Sequence, residues 1–252
     1  MKNYALLLIA AATFVLTGCD KEENTAKNVE LSITFKALYD GATLVKNSDY
    51  PYDTYKVQFS RFSTYLSDIT LLNGTEEVKV SDIEYLDFTP DGASGDNAVD
   101  VTIKATVKEG NYTGIRMGYG VNPANNAKKP ADFAAGTPLA QEVEYWGGWN
   151  SYIFSKIEGQ GDSDNDGQQD IFMLFHCGSD KVYRIYTYEN AFTVAGNSGL
   201  TVNFDLKNLF FADNAWYDLT APGNQATSNN KTDVRVATIL MDNFDNATSV
   251  KQ

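Results

Sequence analysis

Residues 29–35 read Val-Glu-Leu-Ser-Ile-Thr-Phe. Val29, Leu31, Ile33 and Phe35 are apolar, and every residue between them is polar. Period two sends alternate side chains to opposite faces of an extended chain, so this is a strand with one buried face. The pattern returns at Val101, Ile103, Ala105 and Val107, and again at Ile115, Met117, Tyr119 and Val121. It returns at Val202, Phe204 and Leu206, and at Val234, Val236 and Thr238. The chain holds 15 Tyr and 14 Phe, rings that suit half-buried pleated surfaces. Asn73-Gly74, Asp91-Gly92 and Gly110-Asn111 read as turns between strands. No stretch carries a long amphipathic helical period. The expectation is an all-β fold, an antiparallel β-sandwich (Ig-like) or a closely related barrel, with long loops. One domain over residues 29–252 accounts for the length. Two polar connections, 122–144 and 213–231, are long enough to carry function.

The N-terminus predicts the compartment. Lys2 is followed by the apolar run Ala5–Leu16 and then by Leu16-Thr17-Gly18-Cys19. A basic start, a short apolar core and a small-residue cleavage site make a secretory signal over residues 1–18. The run is too short to span a bilayer comfortably. Leu-Thr-Gly-Cys resembles a bacterial lipobox, which makes Cys19 the acylated first residue of the mature chain. Residues 19–28 then form a polar tether, and membrane attachment is through the lipid. Lys21-Glu22-Glu23 directly after it resembles a surface-export signal of Bacteroidetes lipoproteins. The expected location is the bacterial outer membrane, periplasmic or surface-exposed.

The net charge is −13, and loss of residues 1–18 removes Lys2 alone, leaving −14. Such a surface repels phosphates, which argues against nucleic-acid binding and favours cations or neutral ligands. Cys177 is the only cysteine besides Cys19, so the mature chain has one free thiol and no internal disulfide.

Chemistry concentrates between Tyr145 and Gly178, which hold two of the three Trp and the only His. Asp162, Asp164, Asp166 and Asp170 fall at positions 1, 3, 5 and 9 of a D-x-D-x-D-G loop. Gly167 permits the tight turn, and Gln168 can offer its backbone carbonyl. Hard oxygen ligands at this spacing point to Ca2+. Met173 stands where a full EF-hand has its bidentate Glu, so the loop reads as a structural calcium staple on a hairpin, not a sensor. The alternative is a solvated acidic turn. His176 and Cys177 end the next strand on opposite faces, His176 with Phe172 and Leu174, Cys177 with Met173 and Phe175. Imidazole suits copper or zinc, and Cu(I) could recruit a thiol or thioether from a nearby strand. One His is too few for a good transition-metal site by itself, and an isolated His is more often a hydrogen-bonded structural group. Trp146 and Trp149 flank Gly147-Gly148, beside a ligand or as a cap on the core. No Ser-His-Asp order, HExxH, phosphate loop or CxxC is present, so binding rather than catalysis is expected.

Several segments in order resemble one family. They are Val29–Gly41, Arg61–Ile69, Tyr85-Leu86-Asp87, Gly110–Asn122, Trp146–Gly159 and Phe175-His176-Cys177-Gly178. Their order and spacing are similar to the MbnP-like family, copper-binding proteins associated with methanobactin operons and widespread as bacterial lipoproteins. The pair Tyr-Ile-Phe-x-Lys-x-Glu-Gly and Phe-His-x-Gly is its most specific part. The resemblance implies a secreted all-β protein that binds copper, with His176 as a ligand and Trp146 near it. It also implies a di-haem partner of the peroxidase type. The chain departs from the pattern in two places. Its first strand, Phe35-Lys36-Ala37-Leu38, lacks the family's His, and two glycines separate Trp146 from Trp149. A competing expectation keeps the scaffold without copper, as a surface ligand-binding lipoprotein accessory to an outer-membrane transporter.

Overall fold

The alternation at residues 29–35 becomes β1 (Asn28–Tyr39), in which Val29, Leu31, Ile33, Phe35, Ala37 and Tyr39 are all buried. The computed structural model describes residues 27–252 apart from 75, 91–93 and 229–231. The signal segment, Cys19, most of the tether and the Asp91-Gly92 turn lie outside the described residues.

Nine further long strands follow: β2 (Tyr55–Asn73), β3 (Glu76–Asp87), β4 (Val101–Lys108), β5 (Gly114–Tyr119), β6 (Ser151–Asp162), β7 (Ile171–Gly178), β8 (Arg184–Tyr188), β9 (Ser198–Asp205) and β10 (Thr248–Lys251). One sheet runs β10-β9-β1-β4, and the other β7-β6-β2-β5-β8 with β3 also on β2. β2 is the spine of the second sheet. Ser63 and Thr64 pair with β6 on one side and β3 on the other, and farther along Leu66–Leu72 pairs with β5. Asn73-Gly74 makes the β2–β3 turn, with Gly74 at φ 58. The pairing is antiparallel except between β1 and β9, which run parallel.

The sheets meet through aromatic rings. Phe204 of β9 lies 6.2 Å from Phe62 of β2, 5.8 Å from Phe88 and 6.3 Å from Tyr119 of β5, centroid to centroid. All four are fully buried. The expected all-β sandwich is the fold observed.

The C-terminal region differs from expectation. Val234, Val236 and Thr238 do not form a strand; Arg235–Ala247 is a helix of 13 residues. Val236, Ala237, Leu240, Met241, Phe244 and Ala247 are buried, a helical stripe that continues beyond the three alternating positions. Two turns of alternation cannot separate periods 2 and 3.6, and the longer window decides for helix. Phe244 enters the core 5.2 Å from Tyr119 and 6.1 Å from Phe204. Leu206 likewise leaves its strand to start a short helix, Leu206–Phe210, capped by the Asp205 side chain.

The 122–144 connection and residues 225–227 of the other lie on the second sheet. Residues 122–144 cross its outer face in short helical turns. Tyr65 Oη donates to Pro138 O at 2.9 Å, Tyr152 Oη to Leu139 O at 2.7 Å, and Tyr152 N to Asn126 Oδ1 at 2.8 Å. This cover buries both faces of β6 from Ser151 to Ile157. Residues 225–227 follow the outer edge of β7, where Leu174 N donates to Gln225 O at 2.8 Å and Thr227 N to Leu174 O at 3.1 Å. The edge of β7 is thereby closed to pairing with another chain.

Candidate metal centre on the second sheet

β7 alternates as its sequence requires. Ile171, Met173, Phe175 and Cys177 face the core, while Phe172, Leu174 and His176 face outward. Phe172 is 62% and Leu174 50% exposed. Across the ladder His176 stands opposite Lys156 and Leu174 opposite Glu158. β2 continues the rows, with Ser63 beside Lys156 and Arg61 beside Glu158. Six outward positions on three strands thus bring Arg61, Lys156, Glu158 and His176 together.

His176 Nε2 lies 2.7 Å from Glu158 Oε1, and both side chains reach solvent in part. The hydrogen bond from His176 holds the Glu158 carboxyl below the usual range, against a smaller opposing effect of burial. The backbone of His176 is fixed by Thr227: its N–H donates to Thr227 Oγ1 at 3.0 Å and its carbonyl accepts from the same hydroxyl at 2.9 Å.

Beneath the 122–144 cover lies a buried ionic cluster. Glu144 is 1% and Lys156 8% exposed. Lys156 Nζ is 2.8 Å from Glu144 Oε2, an ion pair without hydrogen-bond alignment, and donates to Val143 O at 3.0 Å. Tyr85 Oη donates to Glu144 Oε1 at 2.9 Å and accepts from Arg61 Nη2 at 3.2 Å. Arg61 also pairs with Asp87 at 3.4 Å and Glu144 at 3.6 Å. Arg61 and Lys156 therefore have Glu144 and Asp87 as partners, and Glu158 is the surplus negative charge facing His176.

The two tryptophans stand at the end of this face. Tyr145–Trp146 pairs with Ser151-Tyr152 at the start of β6. Trp146 and Trp149 meet edge to face at 6.2 Å. Trp149 packs over Gly178, where an added Cβ would lie 3.1 Å from the indole. Gly178 is two residues beyond His176 on the same face, so Trp149 is the indole nearer that row. Trp146 stands outside it, 45% exposed.

The aspartate loop joins β6 to β7, as expected, about 20 Å of strand from His176. One carboxylate oxygen each from Asp162, Asp164 and Asp166 lies within 4.8 Å of the others. Asp162 accepts from the N–H groups of Asp166 and Gly167 at 3.1 and 2.8 Å, and Gly167 has φ 90. Gln168 points its amide at Asp166 Oδ2. Asp170 turns away from the three and bonds Ser163 through N–H and hydroxyl, which lowers its carboxyl pKa.

Copper chemistry can be tested against these donors. Cys177 is fully buried on the core face, as are Met117, Met173 and Met241. The expected recruitment of a thiol or thioether to His176 is therefore not available, because alternation along β7 turns Met173 and Cys177 to the other side. Among the described residues the aspartate trio is the only group of three His, Cys, Asp or Glu close enough to share an ion. His176 has one carboxylate beside it, a set that fits a nitrogen–oxygen centre with positions left for solvent. The sequence signalled this carboxylate only as spacing. Lys156 and Glu158 are two apart on one strand, but which strand faces them is set by register.

No curated protein matches the chain. A solved structure described as MbnP from Methylosinus trichosporium matches with a TM-score of 0.58 at 16% identity, over 89% of this chain and 98% of that one. A likeness at that identity carries the fold. The family model for MbnP matches residues 28–234. The chain belongs to the MbnP family.

Proposed function

We propose that this protein is a lipid-anchored envelope protein that binds copper on the outer face of its second sheet, with His176 as the imidazole ligand. The observation that carries the reading is the His176–Glu158 pair, partly open to solvent, with Trp149 packed over Gly178 two positions along the strand. Membership of the MbnP family supports copper as the metal. Anchoring at Cys19 places the protein at the outer membrane, where a di-haem peroxidase-type protein is the partner the family suggests. Its role is binding rather than catalysis. Ca2+ at Asp162, Asp164 and Asp166 staples the hairpin that carries the two site strands.

Copper titration followed by Trp fluorescence and native mass spectrometry tests this. Wild type takes one copper and its fluorescence changes, and His176→Ala loses both. Identical binding by the two proteins refutes the assignment. Cys19→Ala moves the protein from the membrane fraction to the soluble one; unchanged fractionation and no acyl mass on the N-terminal peptide refute the anchor. The second reading, an accessory to an outer-membrane transporter, draws on the exposed apolar side chains Phe172, Leu174 and Trp146. Failure of both wild type and variant to bind copper favours it.

A further inference from the structure

We infer that the second sheet carries a separate binding groove for a neutral carbohydrate, centred on Asp68 at the far end of β2 from His176. Ser63, in the row of His176, and Thr70, in the groove, are about 20 Å apart along β2. The groove shares no residue with the copper reading and stands whether or not that reading does.

Short side chains make the hollow. Ser67 of β2, Gly118 of β5 and Ile185 of β8 stand in one row across the ladder. Lys79 of β3, Thr70 of β2 and Arg116 of β5 stand in the next. Ser67, Thr70 and Gly118 are small, and the longer side chains rise around them. Together they border a cavity of about 610 Å³, within the roughly 300–1,000 Å³ of small-molecule sites. Tyr183 lies across its floor, with its hydroxyl 2.9 Å from Ser67 Oγ. A Cβ at residue 118 would stand 2.0 Å from that hydroxyl, so the ring can lie there only over glycine. A second hollow of about 470 Å³ shares Asp68 and Lys79 and continues along β3 beside the 122–144 connection, past Asn125 and Phe133. The two form one elongated groove, suited to an oligomer of small polar units.

The backbone is bent where the two hollows meet. Between Ser67 and Thr70 the pairing of β2 with β5 gains a residue on β2, and at the same level the pairing of β2 with β3 gains one on β3. Asp68 has φ 53 in the interior of this long strand. Left-handed backbone is uncommon for a residue with a side chain, and bulges re-aim side chains beside sites. Here the bend brings the Asp68 carboxylate to the rim shared by both hollows. Asn122 Nδ2 donates to its Oδ2 at 2.9 Å, and Lys79 Nζ stands 3.1 Å from its Oδ1.

Charge selects the class of ligand. Arg116 donates two parallel bonds to Glu77 at 2.7 and 2.6 Å, and Lys79 pairs with both Asp68 and Asp82. The groove thus sets three carboxylates against two cations, and each carboxylate already has a cation on it. An anion meets a net negative rim, and a cation must displace Lys79 or Arg116 from its partner. A sugar hydroxyl donates and accepts at once. It can bond the spare lone pairs of Asp68 and Glu77 and the spare N–H groups of Lys79 and Arg116 without breaking a pair. These side chains all keep contact with solvent. Tyr183 and the exposed Ile185 supply the apolar surface that the C–H face of a sugar ring covers.

The test applies the full chain in detergent, without added copper, to an array of immobilised neutral and acidic oligosaccharides. The best-retained neutral one is then titrated by calorimetry. Wild type retains a neutral oligosaccharide, and its affinity changes little with salt, because no ion pair forms. Asp68→Asn keeps the shape and tolerates the left-handed backbone, and Arg116→Met keeps most of the stem. Each weakens binding about tenfold, the loss of one hydrogen bond to a charged group. His176→Ala binds the oligosaccharide as wild type does. Melting curves that match wild type show that the two groove variants remain folded. Retention of no neutral oligosaccharide overturns the inference, and so does a preference for acidic ones or a steep loss of binding with salt. Equal affinity in wild type and both groove variants overturns it as well. Loss of binding in His176→Ala alone would put the ligand at the other end of β2, and the groove assignment would fall.

Discussion

Lys156 and Glu144 are both buried and meet at 2.8 Å, one on the middle strand of the site and the other at the end of the connection that covers it. The pair joins two parts of the chain that share no backbone ladder. It also sets the start of the segment Tyr145–Trp149. Burying an ion pair gains little over apolar packing, but removing one partner strands the other charge in a poorly solvated place. Glu144→Ala leaves Lys156 and Arg61 short of a carboxylate and Tyr85 short of an acceptor. The expected loss is about 3–5 kcal/mol in urea unfolding. Glu144→Ala combined with Lys156→Met recovers part of it. A loss under ~1 kcal/mol would show the cluster to be well hydrated instead.

Alkaline pH tests the tyrosines. Burial pushes the phenols of Tyr55, Tyr85, Tyr186 and Tyr188 up to about 12, from an ordinary value of 10.0. The folded state therefore holds these protons more tightly than the unfolded one. Their contribution is fully present below pH 10 and is lost as pH rises through 12. Unfolding is expected to set in above pH 10, with the tyrosinate absorbance band rising together with loss of structure. A smooth, unfolding-independent titration centred near pH 10 would contradict the burial seen for these rings.

Cys177 is fully buried, and burial pushes its thiol up to about 12. The thiolate is the reactive form, so the group is inert on two counts. A thiol-specific reagent at neutral pH is expected to label it only in denaturant. Fast labelling of the native protein would mean that β7 opens locally on that timescale.

Val29 to Phe35 was legible because apolar and polar residues alternate without a break, whereas Ile171 to Phe175 is apolar at every position and its two faces came only from the period of a strand. The opposite facing of His176 and Cys177 followed from the same period. Helix Arg235–Ala247 was missed because its first residues satisfy either period. The ionic cluster was missed for a different reason. Arg61, Tyr85, Glu144, Lys156 and Glu158 come from four distant segments, and only register brings them together. Sequence shows which face a residue takes in its own strand, but not which residue stands across from it. The 122–144 connection read as polar and long enough to carry function, but nothing in that reading marked Glu144 as a buried residue.

The aspartate loop gives the last prediction. Asp162, Asp164 and Asp166 bring carboxylate oxygens within 4.8 Å of one another, and the loop is held by their bonds to backbone N–H groups. Three like charges at that separation repel, and solvent screens them only in part. A cation bound by the folded loop and not by the unfolded chain stabilises the fold by mass action. Gly167 at φ 90 keeps the turn that aims the carboxylates inward, a conformation a side chain would strain. Calcium is therefore expected to raise the melting temperature, and chelator to lower it. Asp164→Ala with Asp166→Ala removes that dependence and, by relieving repulsion, brings the metal-free protein closer to the calcium-loaded wild type. Melting curves with calcium and with chelator, for both proteins, decide it. Superimposable curves for wild type would leave the loop as a hydrogen-bonded turn with no ion.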